Sequence, residues 1–317
     1  MSSQLQGFIK QADVSKIMSA FIASSIIIFG VFSTAEAAPK KELSWAGCGI
    51  SKKAFMGELA KAYEKKSGVK IKLKGGGATR GIREVSDGTR DIGGACRHTL
   101  DSGSAFGSHP QERRVRMDPV AWDALVVLVH KDNPVSDITI PQLRQVYLGK
   151  ITNWKQLGGK NAPIELYVRK GKNSGVGRTI RELIFADYNQ EFAKSAKVVK
   201  SSGPLEKAIS STAVNGIGIS GVSSARKRSA KLLKISGKEP SYENIKNGDY
   251  LLYRPLYLVT HLENRDKDVR AFSNFVHSNE GRKIMRSVGT VPYEDAIHLW
   301  LRYLDSVRKA QDRGLGG

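Results

Sequence analysis

The chain has 317 residues, with 51 Lys and Arg against 30 Asp and Glu for a formal net charge of +21. That length buries a full core in one large domain or two smaller ones, and the charge raises the local concentration of anions of any kind. No zinc-finger spacing, RNA-binding aromatic motif, basic-region heptad, internal repeat or low-complexity tract occurs in the sequence, so no nucleic-acid partner is expected.

At the amino terminus, Ile17 to Phe32 (IMSAFIASSIIIFGVF) form an apolar run behind Lys10 and Lys16, and Ala35-Glu36-Ala37 fits a small-x-small cleavage site. The run is shorter than the roughly 20 residues that span a bilayer. Residues 1–37 therefore read as a cleaved signal peptide, and the mature chain as a periplasmic one. Cleavage removes Lys10 and Lys16 together with Asp13 and Glu36, so the positive surplus stays with the mature protein. Two cysteines occur, Cys48 and Cys96. In an oxidising compartment such a pair is most simply a disulfide. The alternative, a soft-ligand site that adds His98, lacks a recognised zinc spacing, and no metal or other cofactor is expected.

Leu43 to Ala46 reads as a strand, and after Gly47-Cys48-Gly49-Ile50-Ser51 a helix begins, with Phe55, Leu59 and Tyr63 on one face and Gly68 as its left-handed stop. Val69 to Leu73 alternates as a strand. A glycine run leads into a helix through Ile82 and Val85 that ends at Gly88, followed by a strand at Asp91-Ile92. Ala121 to Val129 (AWDALVVLV) is a buried strand. Thr139 and Pro141 open a helix with Leu143, Val146 and Tyr147 inward. Ile164 to Val168 is a strand, followed by Arg169 to Arg178 (RKGKNSGVGR) and the helix positions Ile180, Leu183 and Ile184. At the carboxyl end, Ile297, Leu301, Leu304 and Val307 share one helix face, expected to cover the fold, while Arg302, Arg308 and Lys309 mark the other. Strand, loop and helix in repeated order predict an α/β protein with a parallel sheet and its ligand where strand ends meet helix starts.

Strand, glycine-bearing loop and helix recur at residues 47–51, 75–79 and 171–177. A helix start offers unpaired N–H groups and the positive end of the helix dipole, and glycine ahead of it lets a ligand touch the main chain. GGGATRG lacks the Lys-Ser/Thr ending of a phosphate-binding P-loop, and GCGISK lacks the last glycine of the dinucleotide fingerprint, which speaks against nucleotide hydrolysis. The six histidines form no close constellation in sequence, and Ser51 and Ser174 have no evident partnered base. No catalytic residue is expected and the chain does not read as an enzyme.

The segments GGGATRGI with DGTRDIGGACR, DNPVSDITIPQLRQVYLGKITNW, VRKGKNSGVGR, VNGIGISGV, YLLYRPLYLV and FSNFVHSNEGRKIMRSVGTVP, in this order, resemble the periplasmic phosphate-binding proteins of phosphate ABC transporters and their type II solute-binding relatives. The likeness runs from Leu43 to Tyr293. It implies a two-lobed type II periplasmic-binding-protein fold with a two-stranded hinge. Lobe I would be residues 38–118 plus 256–317 and lobe II residues 119–255, crossing near Val120 to Asp123 and at Arg254-Pro255. It also implies a monomer that captures phosphate or a related small oxyanion and delivers it to an ABC permease. Ligand contacts carry over to Ser51, Lys52, Ala78, Thr79, Cys96 and Arg97 from lobe I and to Arg169, Ser174, Gly175 and Val176 from lobe II. Ala78 and Val176 stand where the family often has hydroxyls, and Gly94-Ala95-Cys96-Arg97 stands where strict phosphate binders carry an Asp. A second expectation on the same scaffold is a periplasmic sensor or redox-linked adaptor using Cys48 and Cys96.

Overall fold

In a computed structural model, residues 40–100 and 109–315 are described; the expected signal peptide and its cleavage site lie outside them. Strand β1 (Glu42–Gly47) leads into one continuous helical run: α1 (Gly49–Ser51), a π-helical turn (Lys52–Met56) and α2 (Gly57–Ser67). Phe55, Leu59 and Tyr63 face the core as their spacing requires, and Gly68 ends the run at φ 74°. Then come β2 (Lys70–Gly75), α3 (Ala78–Ser86) and β3 (Ile92–Ala95). Strand β1 lies between β2 and β3, parallel to both.

Strand β4 (Val115–His130) is longer than the apolar run that announced it, and Val120 to Val129 are all buried. Beyond it lie β5 (Asp137–Ile138), α4 (Ile140–Tyr147), β6 (Glu165–Arg169), α5 (Gly175–Ile180), β7 (Lys197–Val199), α6 (Ser202–Ser211), β8 (Gly216–Gly221) and α7 (Val222–Ala225). Helix α4 begins as expected, because Thr139 and Gln142 form a capping box around Pro141. Helix α5 continues without a break as a π-helical turn, Arg181–Phe185. The chain goes on through β9 (Ala230–Leu232), β10 (Lys234–Ile235), α8 (Tyr242–Lys246), β11 (Tyr253–His261), α9 (Lys267–His277), α10 (Asn279–Ser287), β12 (Val291–Pro292) and α11 (Leu299–Leu315).

The main sheet has the order β2-β1-β3-β11-β4-β8-β6-β7, with β9 and β12 also on β4. It is mixed rather than parallel. The β2-β1-β3 and β8-β6-β7 groups are parallel, but β11 and β4, which join them, run antiparallel to each other and to the strands beside them. These two strands carry the chain from one half to the other and back. Their antiparallel pairing is the reason the expectation of a wholly parallel sheet fails. Across them, Arg254 of β11 stands opposite Asp123 of β4, both buried.

Helix α11 turns a different face inward from the expected one. Leu299, Tyr303, Val307 and Ala310 are buried, whereas Ile297, Leu301 (76% exposed) and Leu304 lie outside. The inward face is chosen by aromatic partners: Tyr303 stacks on His98 at 5.5 Å and meets Trp122 edge-on at 6.4 Å. Rings of this size contribute more buried area than the aliphatic set they displace. No helix of the described residues is long and apolar enough to cross a membrane.

Candidate functional site

A cavity of about 340 Å³ opens where the carboxyl ends of the parallel strands from the two halves face each other. From the first half, Cys48, Gly49 and Ile50 line it at the start of α1, and Gly76, Gly77 and Ala78 at the start of α3. From the second half come Gly175 and Val176 at the start of α5, and Ser201, Ser202 and Gly203 at the start of α6. Helix starts therefore converge on one space, which concentrates unpaired N–H groups and dipole ends there. Gly77 sits at φ 96° with its N–H on the Gly47 carbonyl at 3.0 Å, a left-handed conformation that a side chain would strain. Gly175 is required by proximity: a Cβ there would lie 2.4 Å from the Cys96 sulfur.

Arg169, at the end of β6, lines the cavity. Its Nη1 donates to Ser202 Oγ at 2.8 Å and its Nη2 to the Lys200 carbonyl at 3.3 Å, while its buried Nε has no partner. Burial lowers its pKa from the usual arginine value, and a guanidinium of such basicity stays charged. Its fork is held beside the cavity by Ser202 of α6 and by the Lys200 carbonyl.

Arg97 has a different setting from the one expected of a ligand contact. It is fully buried and does not line the cavity. Its Nη1 and Nη2 fork onto Glu112 at 2.9 Å each; Nη1 also donates to the His98 carbonyl at 2.6 Å, Nη2 to Thr79 Oγ1 at 2.9 Å, and Nε to the Asn173 carbonyl at 3.0 Å. Every donor is taken by protein. Burial pushes the Glu112 carboxyl up, but the Arg97 fork, the Leu100 N–H and Arg83 outweigh it and hold Glu112 below the usual carboxylate range.

Of the other expected contacts, Ala78, Cys96, Gly175 and Val176 line the cavity. Ser51 is buried beside it with an unpartnered hydroxyl. Lys52 points elsewhere, its Nζ on the Leu73 carbonyl at 3.1 Å, and the neighbouring Lys53 lines the cavity in its place. Thr79 donates across the halves to the Asn173 carbonyl at 3.2 Å. Ser174 caps α5, accepting from the Gly177 N–H at 3.1 Å. The disulfide is absent from this structure: Cys48 and Cys96 are free, buried thiols, side by side in the cavity wall.

Lys53, Lys200, Ser201, Ser202, Gly203 and Ser224 line the cavity without having been expected to. The Ser201-Ser202-Gly203-Pro204 run carried a readable helix-start signal, serine cap and early proline, which could have placed α6 here. Lys53 could not be told from Lys52, since successive helix positions differ by about 100° and only packing fixes the phase. Lys53 Nζ lies 3.0 Å from Ser224 Oγ and 3.7 Å from the buried Glu206.

The halves also touch directly. Arg254 Nη1 donates to the carbonyls of Cys96 and Gly175, each at 3.2 Å, and Nη2 to Asp123 at 3.3 Å. With the Arg97 and Thr79 bonds to Asn173, these contacts join the two halves beside the cavity.

Two lobes of mixed α/β sheet joined by two crossing strands, with a basic cavity between opposed helix starts, are the architecture of a type II periplasmic solute-binding protein. The family model for the PBP superfamily domain matches residues 34–280, and the chain belongs to that superfamily. It is similar to the phosphate-binding protein PstS of Borreliella burgdorferi, 29% identical over 53% of this chain and 63% of that relative, just under two thirds of its length. It is 26% identical to PstS of Bacillus subtilis over 80% of this chain and 81% of the relative. Its fold superposes on a substrate-binding protein of Clostridium perfringens, assigned to a phosphate ABC transporter and solved with bound phosphate. That match has a TM-score of 0.71 and 28% identity, and covers 79% of this chain and 99% of the other.

Proposed function

We propose that this chain is an exported solute-binding protein that captures phosphate or a closely related small oxyanion in the interlobe cavity and delivers it to an ABC permease. The observation that carries the reading is the cavity itself: Arg169, Lys53 and Lys200 line it beside helix starts from both lobes, and among the described residues that line it there is no carboxylate. Preorganised N–H groups and a fixed guanidinium replace the hydration of an anion without reorganising. The main chain at Ala78, Gly175 and Val176, with the Arg169 guanidinium, supplies the first grip. Thr79, Ser174 and Arg97 hold those groups in place, and the unpartnered Ser51 hydroxyl packs at the start of α1. Admission of the ion requires lobe I (38–118 and 256–317) and lobe II (119–255) to part about β4 and β11. Binding makes and breaks no covalent bond. The relatives named for phosphate binding support the choice of anion, and the apolar leader of residues 17–32 supports export to the periplasm.

Among the described lining side chains, the proton of a hydrogen phosphate would meet hydroxyl oxygens, those of Ser201, Ser202 and Ser224, and no carboxylate. Sulfate is therefore expected to bind alongside phosphate. Titration calorimetry is expected to show saturable binding of inorganic phosphate, and Arg169→Ala to weaken it by about 30-fold or more, the loss typical of one partner of a buried charge pair. Absence of heat with phosphate, arsenate, sulfate and a phosphate monoester would sink the reading.

A further inference from the structure

The cavity wall contains a thiol pair that the reading above does not use. Cys48 follows β1 and Cys96 follows β3, and the register Gly47↔Gly94 leaves them one step apart at the ends of neighbouring parallel strands. With strands about 4.8 Å apart this gives a Cα separation of roughly 6 Å, inside the range a disulfide spans. Both side chains are buried and both line the cavity. The groups facing the pair are few. The Ile50 and Ser51 N–H groups lie against the Cys48 sulfur, Arg254 stands behind both cysteines, Asp123 faces Cys96 from β4, and Arg169 and Lys53 line the same space. Contact with the Cys96 thiol, then the Arg254 charge and those N–H groups, overcome burial and lower Cys48 to about 6, while Cys96 is pushed up. In the reduced protein Cys48 is therefore the more acidic thiol of the pair, and its thiolate would sit among the donors that an incoming anion needs.

We infer that Cys48 and Cys96 are a modification site for small disulfides, and that forming the Cys48–Cys96 bridge strengthens anion binding in the cavity. This rests on the oxyanion reading above. When the lobes part, the Cys48 thiolate attacks one sulfur of oxidised glutathione; that S–S bond breaks, a mixed disulfide forms and one glutathione thiolate leaves. The Cys96 thiol then loses its proton to solvent and its sulfur attacks Cys48 Sγ, expelling the second glutathione thiolate. The two thiols are oxidised by two electrons and one glutathione disulfide is reduced to two glutathiones. The product is neutral, so the negative charge leaves the cavity and the N–H groups of Ile50 and Ser51 are released to the ligand.

The test is phosphate calorimetry at pH 8 on the full mature chain, once reduced with dithiothreitol and once equilibrated with oxidised glutathione and desalted, with alkylation and mass measurement of each sample under denaturing conditions. The expected result is two alkylated thiols in the reduced form, none in the oxidised form, and at least 10-fold tighter phosphate binding by the oxidised form. Cys96→Ser is expected to stop at the Cys48–glutathione mixed disulfide, read as one glutathione adduct by mass, and to show no gain in affinity on oxidation. Two alkylatable thiols after glutathione treatment, equal affinities, or tighter binding by the reduced form would each overturn the inference. Binding by neither form, with the bridge formed, would overturn the phosphate reading and this one with it.

Discussion

Arg97 and Arg169 are the same residue type at the ends of two strands, and their neighbours give them different work. Arg169 lines the cavity with its guanidinium held by Ser202 and the Lys200 carbonyl, whereas Arg97 spends its whole fork on the buried Glu112, the Thr79 hydroxyl and carbonyls from both lobes. Glu112→Gln leaves a buried guanidinium without its counter-charge, and loss of about 3–5 kcal/mol of stability is expected in denaturant unfolding. Arg169→Ala, at a cavity wall, should lose far less stability and far more affinity. The Glu112 pair also sets an acid limit. Its folded pKa is below the unfolded one, so its stabilisation is fully present above pH 4.5 and lost as pH falls through the lower folded value. Comparing unfolding of wild type and Glu112→Gln between pH 6 and pH 3 checks this: the wild type should lose its advantage on acidification. The arginines were legible as anion-facing candidates from charge and position. Which of them meets the cavity depends on Glu112, 15 residues further along and invisible as a partner in one dimension.

At the scale of elements, α11 is the piece whose existence was readable and whose face was not. A period of 3.6 marks a helix, but Ile297, Leu301 and Leu304 make as good a stripe in sequence as Leu299, Tyr303 and Ala310. The choice falls to the aromatic set because Tyr303 stacks on His98, Trp300 lies against Trp122 and Tyr293, and the Tyr257 hydroxyl lies 2.9 Å from His98 Nε2. Burial first, then the Arg178 and Arg97 charges, lower His98 to about 4. Because the unfolded value is near 6.5, the unfolded chain binds the proton that the folded chain refuses. Stability from this site is complete above pH 6.5 and falls as pH drops toward 4, by on the order of 3 kcal/mol in all. The wild type is expected to lose melting temperature between pH 7 and pH 5, and His98→Asn to lose the part of that slope due to this ring, as read by circular dichroism at both pH values. Helix α11 also reaches the other lobe, with Tyr303 bonded to Glu182 and Arg313 Nη1 3.4 Å from the Phe185 carbonyl. A carboxyl-terminal extension that looked like a surface cover thus ties both lobes.

For the whole molecule, a charge of +21 and a cavity whose described lining residues include no carboxylate draw anions from a distance. The Debye length falls from about 10 Å at 0.1 M salt to about 3 Å at 1 M, so the attraction is screened before the ion reaches the cleft. Stopped-flow tryptophan fluorescence is expected to show the phosphate association rate falling several-fold between 0.05 and 1 M sodium chloride, with a smaller change in the dissociation rate. An unchanged association rate would mean that local donors alone set capture. The Arg254–Asp123 pair occupies the crossing of β4 and β11, where burial raises the Asp123 carboxyl and Arg254 opposes that rise. One guanidinium there touches a carbonyl from each lobe, Cys96 and Gly175, so the hinge and the cavity share a residue.

By itself the sequence determined the α/β class, the strands and helices of the first half and several of the second, the glycine-bearing helix starts and the family resemblance. The class and the helix starts follow from local rules, hydrophobic period, capping residues and the conformations open to glycine, and the family from the resemblance of its quoted segments. Only the tertiary structure decided that the sheet is mixed, that Lys53 rather than Lys52 enters the cavity, that α6 contributes a further helix start, and that two cysteines 48 positions apart share one wall. The physical reason is the same in each case. Local interactions fix which element a residue belongs to, while the direction a side chain faces and the charge it meets are fixed by contacts between residues far apart in the chain.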